Sequence, residues 1–165
     1  MRSSIGRHGG AGGPQSPAAF EICRGVVRLL AAHGLACVSE LPLPNGRRAD
    51  IVSLSRAGSI QIIEIKSSIE DFRSDQKWPE YRAFCDKFFF AVRPDFPAAI
   101  LPEDAGLILA DKYAGEIVRD APTVPLSGPR RKSMTLRFAR LAASRLAVTL
   151  DPTLPAAAGL GAGEM

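Results

Sequence analysis

The chain has 165 residues, 46% of them hydrophobic and 23% charged, with a formal net charge of +4. This is the length and composition of one globular domain able to close a core, and no run nears the roughly 18 apolar residues of a membrane helix. Cys23, Cys37 and Cys85 are an odd set for a disulfide frame and too scattered for a zinc site, so they read as reduced thiols of a cytoplasmic protein.

In chain order, residues 1–16 carry Gly, Ser, Arg and His but no apolar run, and read as a flexible tail rather than a secretory signal. Ser16-Pro17 is an N-cap and first helical position. Phe20, Cys23, Val27 and Leu30 then recur at helical spacing until His33-Gly34. His8 and His33 have no catalytic partner nearby. Leu35 to Leu41, Arg48 to Leu54 and Ser59 to Lys66 read as strands, with a turn at Pro44-Asn45-Gly46. Ser68 caps a second helix with Glu70 and Asp71 in its first turn. That helix is interrupted near Trp78-Pro79, and it buries Phe72, Trp78, Tyr81, Phe84 and Cys85. Lys87 to Val92 is an apolar strand. Gly106 to Ala110 and Glu116 to Val118 are two more, and a last helix from Ser133 to Ala147 turns Met134, Phe138, Leu141 and Leu146 inward. Residues 151–165 read as a loose tail. A helix, three antiparallel strands, a helical crossover and a parallel fourth strand make an α/β fold with a mixed central sheet, in one domain over 17–150.

Three charged residues stand out. Glu64 and Lys66 lie two apart in Ile62-Ile63-Glu64-Ile65-Lys66, so they share a face of an otherwise apolar strand. Asp50 sits in the strand before. If Arg56-Ala57-Gly58 is a three-residue hairpin loop with Gly58 left-handed, residue 55 pairs with 59 and Asp50 faces Glu64. A slip of one residue would turn Asp50 away. Two carboxylates and an ammonium gathered at one point equip a chain for metal-assisted hydrolysis of a phosphodiester. A cross-strand salt bridge is the plainer use of the same residues. Ser67, Asp71, Asp75, Gln76 and Lys77 follow within reach of a bound phosphate, or form a solvated helix face. Trp78 and Tyr81 suit the core better than base stacking, and Glu40 suits a structural pair with Arg47 or Arg48. From Ala121 to Val148 there is no acid, while Arg130, Arg131, Lys132, Arg137, Arg140 and Arg145 supply +6. Such a segment suits a phosphate backbone or a solvated helix face.

Asp50 followed by Glu64-Ile65-Lys66 resembles the PD-(D/E)XK nuclease superfamily. The surrounding text R-R-A-D-I-V, I-E-I-K-S-S-I-E-D-F-R-S-D-Q-K-W-P-E-Y, C-D-K-F-F-F-A-V and G-L-I-L-A-D is similar to the MmcB family of bacterial DNA-repair-associated proteins, over about residues 17–148. Ala49 stands where the superfamily's label has proline, a position that shapes backbone and holds no metal. The resemblance implies a restriction-endonuclease-like αβββαβ core and a DNA substrate. It also implies Mg²⁺ or Mn²⁺ on Asp50, Glu64 and the Ile65 carbonyl, with Lys66 orienting or deprotonating water. Glu21 would join from the first helix, and Arg130, Arg131, Lys132, Arg137 and Arg140 would contact DNA. Such a protein would work near the nucleoid, with other repair proteins as possible partners. The alternatives are an inactive DNA-binding or scaffold protein of the same fold and, more distantly, a protein–protein adaptor.

Overall fold

A computed structural model describes residues 16–155; both expected tails, apart from their inner ends, and His8 with them, lie outside the described residues. Helix α1 (Pro17–Ala32) leads into three antiparallel strands, β1 (Ala36–Pro42), β2 (Arg48–Leu54) and β3 (Ile60–Ile65). Helix α2 (Ile69–Ser74) and a 3-10 helix (Trp78–Phe84) cross over to β4 (Lys87–Val92), parallel to β3. Strand β5 (Gly106–Ala110) runs parallel to β4, β6 (Gly115–Arg119) turns back beside it, and α3 (Gly128–Leu150) follows. The six strands lie in the sheet in chain order. The result is the expected α/β fold, a mixed sheet between helices.

The two faces of the sheet bury different elements. On one, Ile22, Val26 and Leu30 of α1 pack on Ile51, Ile63, Ile65, Phe89 and Ile108. Gly25 permits this approach, because a Cβ there would lie 2.1 Å from the Asp111 carbonyl oxygen. On the other, Met134, Phe138 and Leu141 of α3 join Tyr81 over Val52, Ile62, Phe88 and Phe90. Trp78 stacks on Phe88 at 5.6 Å between ring centroids and meets Phe90 edge-on at 5.2 Å, so both it and Tyr81 serve the core.

Three expectations are corrected. Helix α1 is rotated from the expected phase: Ile22 and Val26 are buried, while Phe20 is 63% exposed. Both sets fit helical spacing, and contact with Ile51 and Ile63 chooses between them. Helix α3 begins at Gly128 and runs 23 residues, because a proline in the first turn removes a donor that would be unbonded there anyway. Leu146, expected inward, is 59% exposed. The break before Trp78-Pro79 is present, with α2 ending at Ser74.

Candidate active site

The hairpin turn sets the geometry. Gly58 takes φ +81°, its amide donates to the Ser55 carbonyl at 3.0 Å, and the Ser55 amide donates to the Ser59 carbonyl at 3.0 Å. The ladder pairs Ile51 with Ile63 and Val52 with Ile62. Asp50 therefore stands opposite Glu64, as the loop length predicts. There the backbone ladder gives way to side chains. The Asp50 amide donates to Glu64 Oε1 at 3.1 Å, and the Ile65 amide donates to Asp50 Oδ2 at 2.9 Å. Each carboxylate takes a main-chain donor from the other strand.

Strand β1 brings a third acid to the same level. Its pairing with β2 puts Leu41 across from Ala49 and Ser39 across from Ile51, which leaves Glu40 opposite Asp50. Glu40 has φ +55°, the one positive φ outside glycine among the described residues. Val38 and Leu41 enter the same core although three apart, and so do Val52 and Ala49. On regular strands such residues point to opposite faces. Both strands are therefore irregular at the Glu40–Asp50 level, and because they deviate together the register survives. Glu40 is ion-paired with Arg48, one of the two partners its sequence position suggests.

Helix α2 and the 3-10 helix cover the site. Glu64 is 3% exposed and Lys66 4%; Asp50 is half-buried. Lys66 Nζ donates to Asp75 Oδ2 at 2.6 Å. The Tyr81 hydroxyl donates to the Arg48 carbonyl at 3.2 Å, and Arg47 Nε to Glu80 Oε2 at 2.6 Å. Asp71 Oδ2 accepts from the Ser67 amide at 3.0 Å. The sequence places Asp75 within reach of the site but gives no sign that it holds the lysine.

One buried cation thus serves several acids. Burial raises the Asp50 pKa to about 6, with the Glu40 and Asp71 charges adding to it and the Ile65 amide and Lys66 opposing. Burial and then the Asp50 charge push Glu64 well above the usual carboxylate range. Burial alone would lower Lys66, yet its bond to Asp75 and the surrounding carboxylates carry it above its ordinary value. Lys66 is accordingly an ammonium at neutral pH, a donor and a charge rather than a base.

Several expected site residues have partners of their own. Glu21, on α1, has its carboxylate 4.0 Å from Arg93, which follows β4 at the end of the sheet that carries Lys66. Glu40 stands level with Asp50. Arg131 is committed to the fold: its two terminal guanidinium nitrogens each donate to an Asp86 oxygen at 2.7 Å, and Nη1 also donates to the Gly58 carbonyl at 2.6 Å. Arg130 donates to the Ala83 carbonyl at 3.2 Å, and Arg145 to the Ser39 carbonyl at 2.6 Å. Of the basic segment, Lys132, Arg137 and Arg140 are the cations not engaged in this way. The start of α3 lies by the β2–β3 turn, at the far end of β3 from Lys66. That separation is on the order of 20 Å at the rise of a strand.

The acids suit a hard divalent cation. Buried Glu64 and half-buried Asp50 share one ammonium that Asp75 already engages, and oxygen donors are what Mg²⁺ and Mn²⁺ take. Among the described residues no three His, Cys, Asp or Glu side chains gather into a metal cage. A cation here would bind Asp50 and Glu64 and complete its shell with water and substrate oxygens, the usual habit of Mg²⁺.

A family model described as DNA repair protein MmcB-like matches residues 7–153. No curated protein matches. A solved structure of a protein of unknown function from Silicibacter pomeroyi is similar, with a TM-score of 0.81 and 41% identity, covering 90% of this chain and all of that one. No helix among the described residues is long and apolar enough to cross a membrane.

Proposed function

The chain belongs to the MmcB-like family of DNA repair proteins, and on that premise we propose that it is a metal-dependent nuclease acting on DNA. The observation that carries this reading is the exchange of main-chain bonds between Asp50 and Glu64 beside Lys66. The exchange holds two carboxylates together where their charges repel. Their repulsion is a cost that a bound cation would relieve.

Asp50 and Glu64 would hold Mg²⁺ or Mn²⁺, with the Ile65 carbonyl at hand as a further oxygen. A bound divalent ion supplies charge to the phosphate and lowers the pKa of a bound water. Half-buried Asp50 is the side from which substrate approaches. Lys66, fixed by Asp75, offers its charge and hydrogen bonds to the water or to a phosphate oxygen as negative charge develops. From there it orients the water or helps to deprotonate it.

The scaffold reading draws on a separate observation, the burial of Lys66 and the capture of its ammonium by Asp75. The two readings separate with branched, flapped, nicked and single-stranded DNA, each incubated with Mg²⁺, Mn²⁺ or EDTA. A nuclease cuts at least one form with metal, and Glu64→Ala and Lys66→Ala abolish cutting. Mg²⁺ also raises the melting temperature of the wild type, with a gain of about 2.7 kcal/mol at a hundredfold excess over Kd, and leaves Glu64→Gln unchanged. No cutting of any form together with no metal-dependent shift would leave the DNA-binding scaffold as the reading.

A further inference from the structure

The outer arc of α3 is apolar where an exposed helix face is ordinarily polar. Its inner arc is occupied: Met134, Phe138 and Leu141 are buried against the sheet and the 3-10 helix. On the other side Leu136, Ala139, Ala143, Leu146 and Leu150 succeed one another at spacings of three and four, and all are exposed. The three leucines are 53%, 59% and 79% exposed. The row is about 21 Å long. Alternating three-and-four spacing is the seam on which a second helix packs, and small residues between large ones leave holes for the partner's side chains.

Charge says what kind of helix. No acid occurs between Gly128 and Leu150. Lys132 lies in line with the row, one turn before Leu136, and Arg140 flanks it. Both are exposed, and neither is bonded to the rest of the fold. A second copy of α3 would bring like charges together with nothing to offset them. DNA would leave the leucines against phosphates, and a row of three leucines and two alanines offers a membrane surface little apolar area to bury. We infer that the outer arc of α3 docks an amphipathic helix of a partner protein, apolar along one stripe and acidic beside it. The inference is independent of whether Asp50 and Glu64 support catalysis.

The probe is a synthetic peptide about as long as α3, with leucines at three-and-four spacing and flanking glutamates, added to the full chain and followed by fluorescence anisotropy. A peptide with lysines for the glutamates is the control. The acidic peptide should bind and the basic one should not. Leu136→Gln with Leu146→Gln, and separately Lys132→Glu with Arg140→Glu, should each weaken binding about tenfold or more. All these side chains are exposed, so thermal melts should match the wild type. Undiminished binding by the leucine variant, or no binding by the wild type, would overturn the inference. Duplex DNA binding that the leucine substitutions abolish would assign the face to DNA instead, and a dimer that they dissolve, seen by light scattering, would assign it to a second copy.

Discussion

Buried carboxylates stand at both ends of the central strands, and their surroundings are opposite. Asp86, just before β4, is 4% exposed and accepts the Ile60 and Leu126 amides at 2.8 Å each, besides its two bonds to Arg131. Burial pushes its pKa up, but the guanidinium and the two amides outweigh it and hold the carboxyl below its usual range. Asp50 and Glu64 at the other end have one main-chain donor each, and the ammonium beside them is engaged by Asp75. Their pKa values rise. An acid that serves the fold is balanced by its neighbours. An acid left short of positive charge destabilises the free protein and gives a ligand something to relieve.

The strongest way to break this contrast is Asp86→Ala. It leaves Arg131 and two amides without their acceptor, and should cost about 3–5 kcal/mol in urea denaturation. Glu64→Gln, measured alongside in EDTA, should move stability the other way. A loss at Glu64 comparable to that at Asp86 would erase the distinction between the two ends.

A smaller effect sharpens the comparison through pH. Asp50 has a pKa near 6 in the fold against an ordinary 3.8. Between those values the folded chain binds more protons than the unfolded one. The stability that Asp50 contributes is therefore greatest at low pH and is lost as pH rises through 6. Asp50→Asn should remove that dependence and stabilise the metal-free protein at pH 7 by on the order of 1–2 kcal/mol, with less gain at pH 5. Melting curves at the two pH values in EDTA decide it, and equal shifts at both would sink the explanation.

The smallest expected effect is at Phe20 of α1, measured against Ile22 of the same helix. Ile22→Ala should cost about 2–4 kcal/mol by opening a cavity against Ile51 and Ile63. Phe20→Ser should stay within about 0.5 kcal/mol, as an exposed position does. Paired denaturation curves measure both, and a large loss at Phe20 would restore the helix phase expected from sequence.

What could be read in advance follows the range of the interaction. The meeting of Asp50 and Glu64 depends on one short loop, and Gly58 fixes its geometry locally, so register was legible. Element order was legible too, because turn residues and apolar runs mark each strand. The phase of α1 was not: Leu30 belongs to both candidate stripes, and only the sheet tells Ile22 from Phe20. The Arg131–Asp86 pair joins residues far apart in sequence, so Arg131 looked like one more surface cation. The Lys66–Asp75 bond was hidden for a similar reason, since it depends on α2 ending at Ser74 and folding back. The irregularity at Glu40 left no trace, because its non-glycine residue gives no signal of a positive φ.

The strand order has a consequence during synthesis. Each strand pairs only with its neighbours in the chain, so the sheet can assemble in the order the ribosome delivers it. Helix α3 reaches back to the first strand, where Arg145 meets Ser39 of β1. Until Met134, Phe138 and Leu141 emerge, Val38, Val52 and Ile62 have no α3 above them. At roughly 5–20 residues per second, that exposure lasts several seconds after β4 appears. A nascent chain with one apolar sheet face open for that long is a natural client for chaperones, and its last helix is the piece that ends the dependence.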